Sequence, residues 1–148
     1  MDKKSFLQAG HTPTLLAAFL YFDLAFMVWV LLGPLGISIA KDLGLSHAEK
    51  GMMVATPVLA GALLRIIMGI LVDRLSPKKA AIIGQVVVIA TMLYAWQIGV
   101  HSYGEVLVLG LFLGVAGASF AAALPLASRW YPAEHQGTAM GIAGAGNS

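Results

Sequence analysis

Residues Gly61–Lys79 read GALLRIIMGILVDRLSPKK. The first part is apolar enough for the middle of a bilayer, the last part is charged, and Arg65 interrupts the apolar part. A guanidinium at mid-bilayer depth costs about 2.5–3.5 kcal/mol on insertion scales, so a plain membrane anchor has no use for it. The stretch predicts a membrane-spanning helix that carries chemistry, followed by a basic loop.

The rest of the chain agrees. Of 148 residues, 59% are hydrophobic and 11% charged, and the mean hydropathy is +0.84; soluble domains carry about 25% charged residues. This predicts an all-α integral membrane protein. The formal net charge of +2 comes from so few groups that it argues for no nucleic-acid partner, and the basic residues matter by position instead. There is no cysteine, which excludes disulfides, thiolate metal sites and cysteine nucleophiles within the chain. Lys3 and Lys4 precede an apolar run in the manner of a signal peptide. That run, Leu15–Ala40, is about 25 residues long, beyond a signal sequence and long enough to span, so it reads as a retained first helix.

Apolar runs separated by polar punctuation fall at residues 14–40, 51–72, 79–100 and 105–128, and a fifth starts at residue 136 and runs to 148. At ~1.5 Å rise per residue the four complete runs cross the hydrocarbon. Residues 1–13 form a tail and residues 14–148 part of a transmembrane bundle. The links KDLGLSHAEK, DRLSPKK, HSYG and RWYPAEHQ are short and rich in Gly and Pro stop signals, so successive helices run antiparallel. With the N-terminus inside, Lys3, Lys4, Arg74, Lys78, Lys79 and Arg129 are cytoplasmic and only Lys41 and Lys50 are outside; this bias predicts a cytoplasmic N-terminus. The fifth run, about 13 residues, is too short to cross, which reads as a fragment of a longer protein.

Two ionisable residues fall deep within the spans. Asp23 lies roughly 13 Å along its helix from Thr14, and Arg65 roughly 12 Å from Asp73. They could neutralise each other as a buried ion pair, although such pairs are a weak source of stability. Alternatively Arg65 binds an anion, since its planar fork offers two parallel charge-assisted hydrogen bonds to a planar oxyanion. Asp23 would then hold the arginine or carry a proton. Small residues around Arg65 at helical spacing, Gly61, Ala62 and Gly69, leave room beside it. Further small-residue stripes run through Gly110, Gly114, Gly117 and Ala121, and through Gly137, Gly141 and Gly144, where plain helix packing is the commoner use. Asn147, flanked by Gly144 and Gly146, lies roughly 20 Å beyond Glu134 and also reaches mid-membrane. The four histidines lie at helix ends or in loops and read as solvated. Trp96, Trp130, Tyr103 and Tyr131 suit the membrane interface, whereas Phe22, Phe26 and Trp29 share one face suited to core packing or a cavity wall. No nucleophile–base pair or metal-ligand cluster falls within a span, so an enzyme is not expected.

The loop GILVDRLSPKK resembles the G-x-L-a-D-r-x-G-r-k motif of the major facilitator superfamily, with Gly69, Leu71, Asp73, Arg74, Lys78 and Lys79 matching and Ser76 standing where that motif has glycine. WVLLGPLGISIAKDLGLS, GALLR and HQGTAMGIAGAGNS are similar to nitrate/nitrite porters within it; Ala143, Gly144, Gly146 and Asn147 match the opening of that family's A-G-x-G-N-x-G signature. The resemblance implies the N-terminal part of a twelve-helix, multi-pass carrier of the cell inner (plasma) membrane, with no cofactor. Its partners would be nitrate or nitrite, the lipid bilayer and the missing C-terminal half, which would supply a second arginine. Arg65, Asn147, Gly144 and Gly146 would form this half of the anion site and Asp23 a candidate for proton coupling. Gly69, Asp73, Arg74, Lys78 and Lys79 would form a gate.

Overall fold

The computed structural model describes residues 5–147, with only the backbone of Asn147. Lys3, Lys4 and Ser148 therefore lie outside the described residues. All regular structure among the described residues is helical. A short α1 (Phe6–Ala9) leads into α2 (Thr12–Trp29) and α3 (Leu32–Asp42), which together make the first span. The second and third spans are α4 (His47–Arg74) and α5 (Pro77–Ile98). The fourth is α6 (Tyr103–Gly117) with α7 (Phe120–Ser128), and α8 (Ala133–Gly144) follows, ending in a 3₁₀ turn over Ala145–Asn147.

Caps set the helix ends, and hydropathy does not see caps. The α3 terminus closes with Gly44 at φ 64°, where Leu45 N–H donates to the Ala40 carbonyl at 2.8 Å and Gly44 N–H to that of Lys41 at 3.4 Å. Glycine takes that left-handed conformation freely, and the two bonds satisfy carbonyls that the helix end leaves open. Two residues later Ser46 and Glu49 form a capping box, so α4 starts at His47, a turn before its apolar run at residue 51. Ser76 Oγ accepts from Lys79 N–H and Pro77 opens α5. Ser102 Oγ likewise accepts from Glu105 N–H at the start of α6.

The fourth span is the centre of the bundle. Its buried residues Leu113, Ala116, Ala118 and Ala122 join three of the four apolar clusters, packing on Leu32 and Met53, on Ala25 and Val88, and on Met68 and Ala80 respectively. A glycine seam lets α6 approach α4. A Cβ on Gly114 would overlap Ala60, and one on Gly110 would lie 3.2 Å from both Pro57 and Thr56. Close backbone approach of this kind is how helices associate where lipid tails are as apolar as leucine. The glycines of α8 differ: a Cβ on Gly137 or Gly141 would meet nothing within 4 Å. The outer faces of the helices expose large apolar side chains such as Leu63, Ile66 and Trp96, the pattern of a surface that meets lipid rather than water.

At the end of the bundle opposite Gly44, α1 folds back on the chain. Phe6 stacks on Tyr131 with centroids 4.8 Å apart and meets His135 edge-on at 5.8 Å. Tyr131 is thus buried under α1, and His135, read as solvated, is partly covered, with 22% of its side chain exposed. The Tyr131 hydroxyl and His135 Nε2 are buried without a hydrogen bond.

Candidate intramembrane anion site

Arg65 projects from α4 toward the junction of α6 and α7. That junction exists because the fourth span is interrupted at Ala118–Ser119, where the backbone shifts to i→i+3 bonds such as Ser119 N–H to the Ala116 carbonyl and Ala121 N–H to that of Ala118. The Gly117 carbonyl accepts from Arg65 Nη2 at 3.1 Å. Phe120, one turn on, lies beneath the guanidinium, with Cζ 5.2 Å from the ring centroid. A cation over an aromatic face is attracted by the ring quadrupole, by about 0.5–2 kcal/mol depending on desolvation. Phe22 of α2 backs Phe120, the two centroids 5.3 Å apart.

These contacts orient the guanidinium without neutralising it. Arg65 Nε is buried with no hydrogen-bond partner. Among the described residues no carboxylate lies within 4.0 Å of Arg65, so the Asp23–Arg65 ion pair that the sequence permits is not formed. A buried donor without an acceptor costs about 1–3 kcal/mol, more when charged. An anion of planar oxygen geometry at this edge would remove that cost.

The packing beside Gly117 is built around Trp29. Its indole N–H donates to the Pro57 carbonyl at 2.7 Å, and its ring lies against two glycines: a Cβ on Gly61 would approach Nε1 to 2.8 Å, and one on Gly117 would overlap the ring. Trp29 joins α2, α4 and α6, and Phe26 meets it edge-on at 5.9 Å. Of the two uses open to this aromatic face, the Trp29 end is core packing.

The other expected residues divide. Gly146 is buried against α2, where a Cβ would lie 2.7 Å from the Phe19 carbonyl oxygen and 3.0 Å from Asp23 N. The glycine is thus accounted for by helix contact, and that contact brings the 3₁₀ turn beside Asp23. Gly144 has ordinary room, with Leu124 Cδ2 at 3.7 Å from a Cβ. The Asn147 side chain falls outside the described atoms. Asp23 is half-buried on α2 and makes no salt bridge among the described residues. Asp73 and Arg74 on the last turn of α4, and Lys78 and Lys79 on the first turn of α5, are all exposed. Gly69 has nothing within 4 Å of a Cβ. Sequence reasoning missed Phe120 and the Gly117 carbonyl. Phe120 is the one aromatic residue in GVAGASFAAAL, a visible signal, whereas a freed carbonyl has no signature in composition.

Four membrane-length helices define a multi-pass membrane protein, and within it Arg65 has no carboxylate within 4.0 Å among the described residues. Residues 15–148 match the family model described as the Major Facilitator Superfamily, and the chain belongs to that family. It is 40% identical over 141 residues to a protein named probable nitrate/nitrite transporter NarK2 of Mycobacterium tuberculosis, covering 93% of this chain and 35% of the relative. It is 35% identical over 129 residues to the probable nitrate/nitrite antiporter NarK1 of Thermus thermophilus (86% of this chain, 28% of the relative). It is 34% identical over 122 residues to the nitrite extrusion protein of Bacillus subtilis (82% and 30%). The chain spans about a third of the length of these relatives.

Proposed function

We propose that this chain is the N-terminal part of a carrier that moves nitrate, or exchanges it for nitrite, by alternating access around a site near the membrane middle. The observation that carries the proposal is Arg65, held by a neutral carbonyl and a ring face with Nε unsatisfied and no carboxylate partner among the described residues. A planar oxyanion satisfies such a fork through two charge-assisted bonds, which a lysine cannot offer. The names borne by the relatives support nitrate and nitrite as the oxyanions. In this carrier Phe120 forms one face of the site, and the backbone of Gly144–Gly146 with Asn147 closes it on the α8 side. The exposed Asp73, Arg74, Lys78 and Lys79, with Gly69, act at the gate, and transport rocks two helical halves about the fixed site.

Nitrate uptake by proteoliposomes holding the full-length protein tests this. Arg65→Lys keeps the charge and loses the fork, so the half-saturating nitrate concentration should rise by roughly 10-fold or more, as expected for a lost charged hydrogen bond. Unchanged affinity overturns the arginine's role. If uptake is coupled to protons through Asp23, Asp23→Asn abolishes its dependence on a pH gradient; a dependence that persists removes Asp23 from the coupling.

A further inference from the structure

A second cationic site lies at the opposite end of the fourth span from α6. There α2 and α5 each pack against α7, and the gap between their ends is a pocket of about 490 Å³. Lys78 and Arg129 line it with His11 and Trp130, and Pro13 and Leu126 supply apolar wall. No carboxylate is among its lining residues. Neither Lys78 nor Arg129 has a salt-bridge partner among the described residues. Trp130 is 54% exposed and tilts over His11, centroids 5.1 Å apart, and His11 Nδ1 is already engaged with the Thr14 hydroxyl at 2.7 Å.

We propose that this pocket binds the phosphate headgroup of an anionic phospholipid in the cytoplasmic leaflet. Three features select that occupant. Two unpaired cations share one cavity, which complements a phosphate diester and is indifferent to a zwitterion's net charge. The cavity sits at the end of the bundle that the positive-inside bias assigns to the cytoplasm, where anionic lipid meets basic pockets between membrane helices. The wall is mixed, with an exposed tryptophan and aliphatic surface beside the charges, which suits a headgroup with its glycerol and first methylenes. The site is separate from Arg65 and does not depend on which anion the carrier moves, although it shares Lys78 with the proposed gate.

The experiment uses the full-length transporter in detergent, with lipid binding measured by native mass spectrometry and by the shift of thermal midpoint. Phosphatidylglycerol should bind and raise the midpoint, and phosphatidylcholine should do neither at the same concentration. The Lys78→Gln/Arg129→Gln double variant should bind phosphatidylglycerol about 30-fold more weakly, while Lys78→Arg/Arg129→Lys, which keeps both charges, should bind within a few-fold of the parent. Equal binding by the Gln double variant overturns the proposal, as does equal protection by phosphatidylcholine. Protection by millimolar inorganic phosphate without protection by phosphatidylglycerol also overturns it, because the occupant would then be a soluble ion.

Discussion

Ser76 shows how a single backbone angle connects sequence to strain. It stands at φ 153°, ψ 158°, a region that glycine occupies freely and other residues rarely. The superfamily motif that its loop resembles carries glycine at this point. Ser76→Gly should therefore stabilise the protein by about 1 kcal/mol, since relief of strain outweighs a cap bond whose replacement by glycine costs only a few tenths; thermal unfolding in detergent measures it, and a lowered midpoint would contradict the reading. At Arg65 the balance concerns charge. Phe120→Leu keeps apolar volume and removes the ring face beneath the guanidinium, so under the proposed function nitrate affinity should fall by a few-fold, following the ~0.5–2 kcal/mol of a cation–π contact. Equilibrium nitrate binding provides the check. Arg65 itself was legible as an isolated charge in an apolar run. Its partners were not, because a backbone carbonyl becomes available only when a helix breaks, and the one polar side chain in GVAGASFAAAL, Ser119 at the break, is a residue that unbroken membrane helices also carry at their interfaces.

Spans were legible in number and order, less so their ends and the breaks that split the first and fourth. Apolar runs locate spans because the bilayer demands them, but α4 begins where Ser46 and Glu49 cap it, and α5 where Ser76 and Pro77 do. The small-residue stripes looked alike in sequence and have separate uses. Gly114 and Gly117 are filled by Ala60 and Trp29, whereas Gly137 and Gly141 face open space. Gly114→Leu should accordingly destabilise the bundle by about 1–3 kcal/mol or more through overpacking, and Gly141→Ala should leave the stability of this part unchanged or raise it by up to about 1 kcal/mol, through helix propensity alone. Gly146→Ala should resemble Gly114→Leu in kind, because its Cβ would press on the Phe19 carbonyl, 2.7 Å away. Thermal midpoints and the detergent stability of the three variants rank them directly; equal effects would remove the distinction.

For the molecule as a whole, hydropathy carried the architecture further than it carried the site. The number of spans and their alternation follow from a solvent that leaves few solutions for the backbone. The candidate site depends on α4 meeting the junction of α6 and α7, and Trp29 of α2 keys that meeting: its ring touches α4 through the Pro57 carbonyl and Gly61, and α6 through Gly117. One indole thus keys three helices together beside Arg65. In a carrier that rocks about its substrate, such a key makes this half a lever whose own parts keep their spacing, so the flexing must fall elsewhere. Trp29 would then serve as a spectroscopic fiducial. In a transporter retaining it as the sole tryptophan, its emission maximum should stay fixed through the nitrate cycle, while a reporter at the exposed position 130 is free to respond.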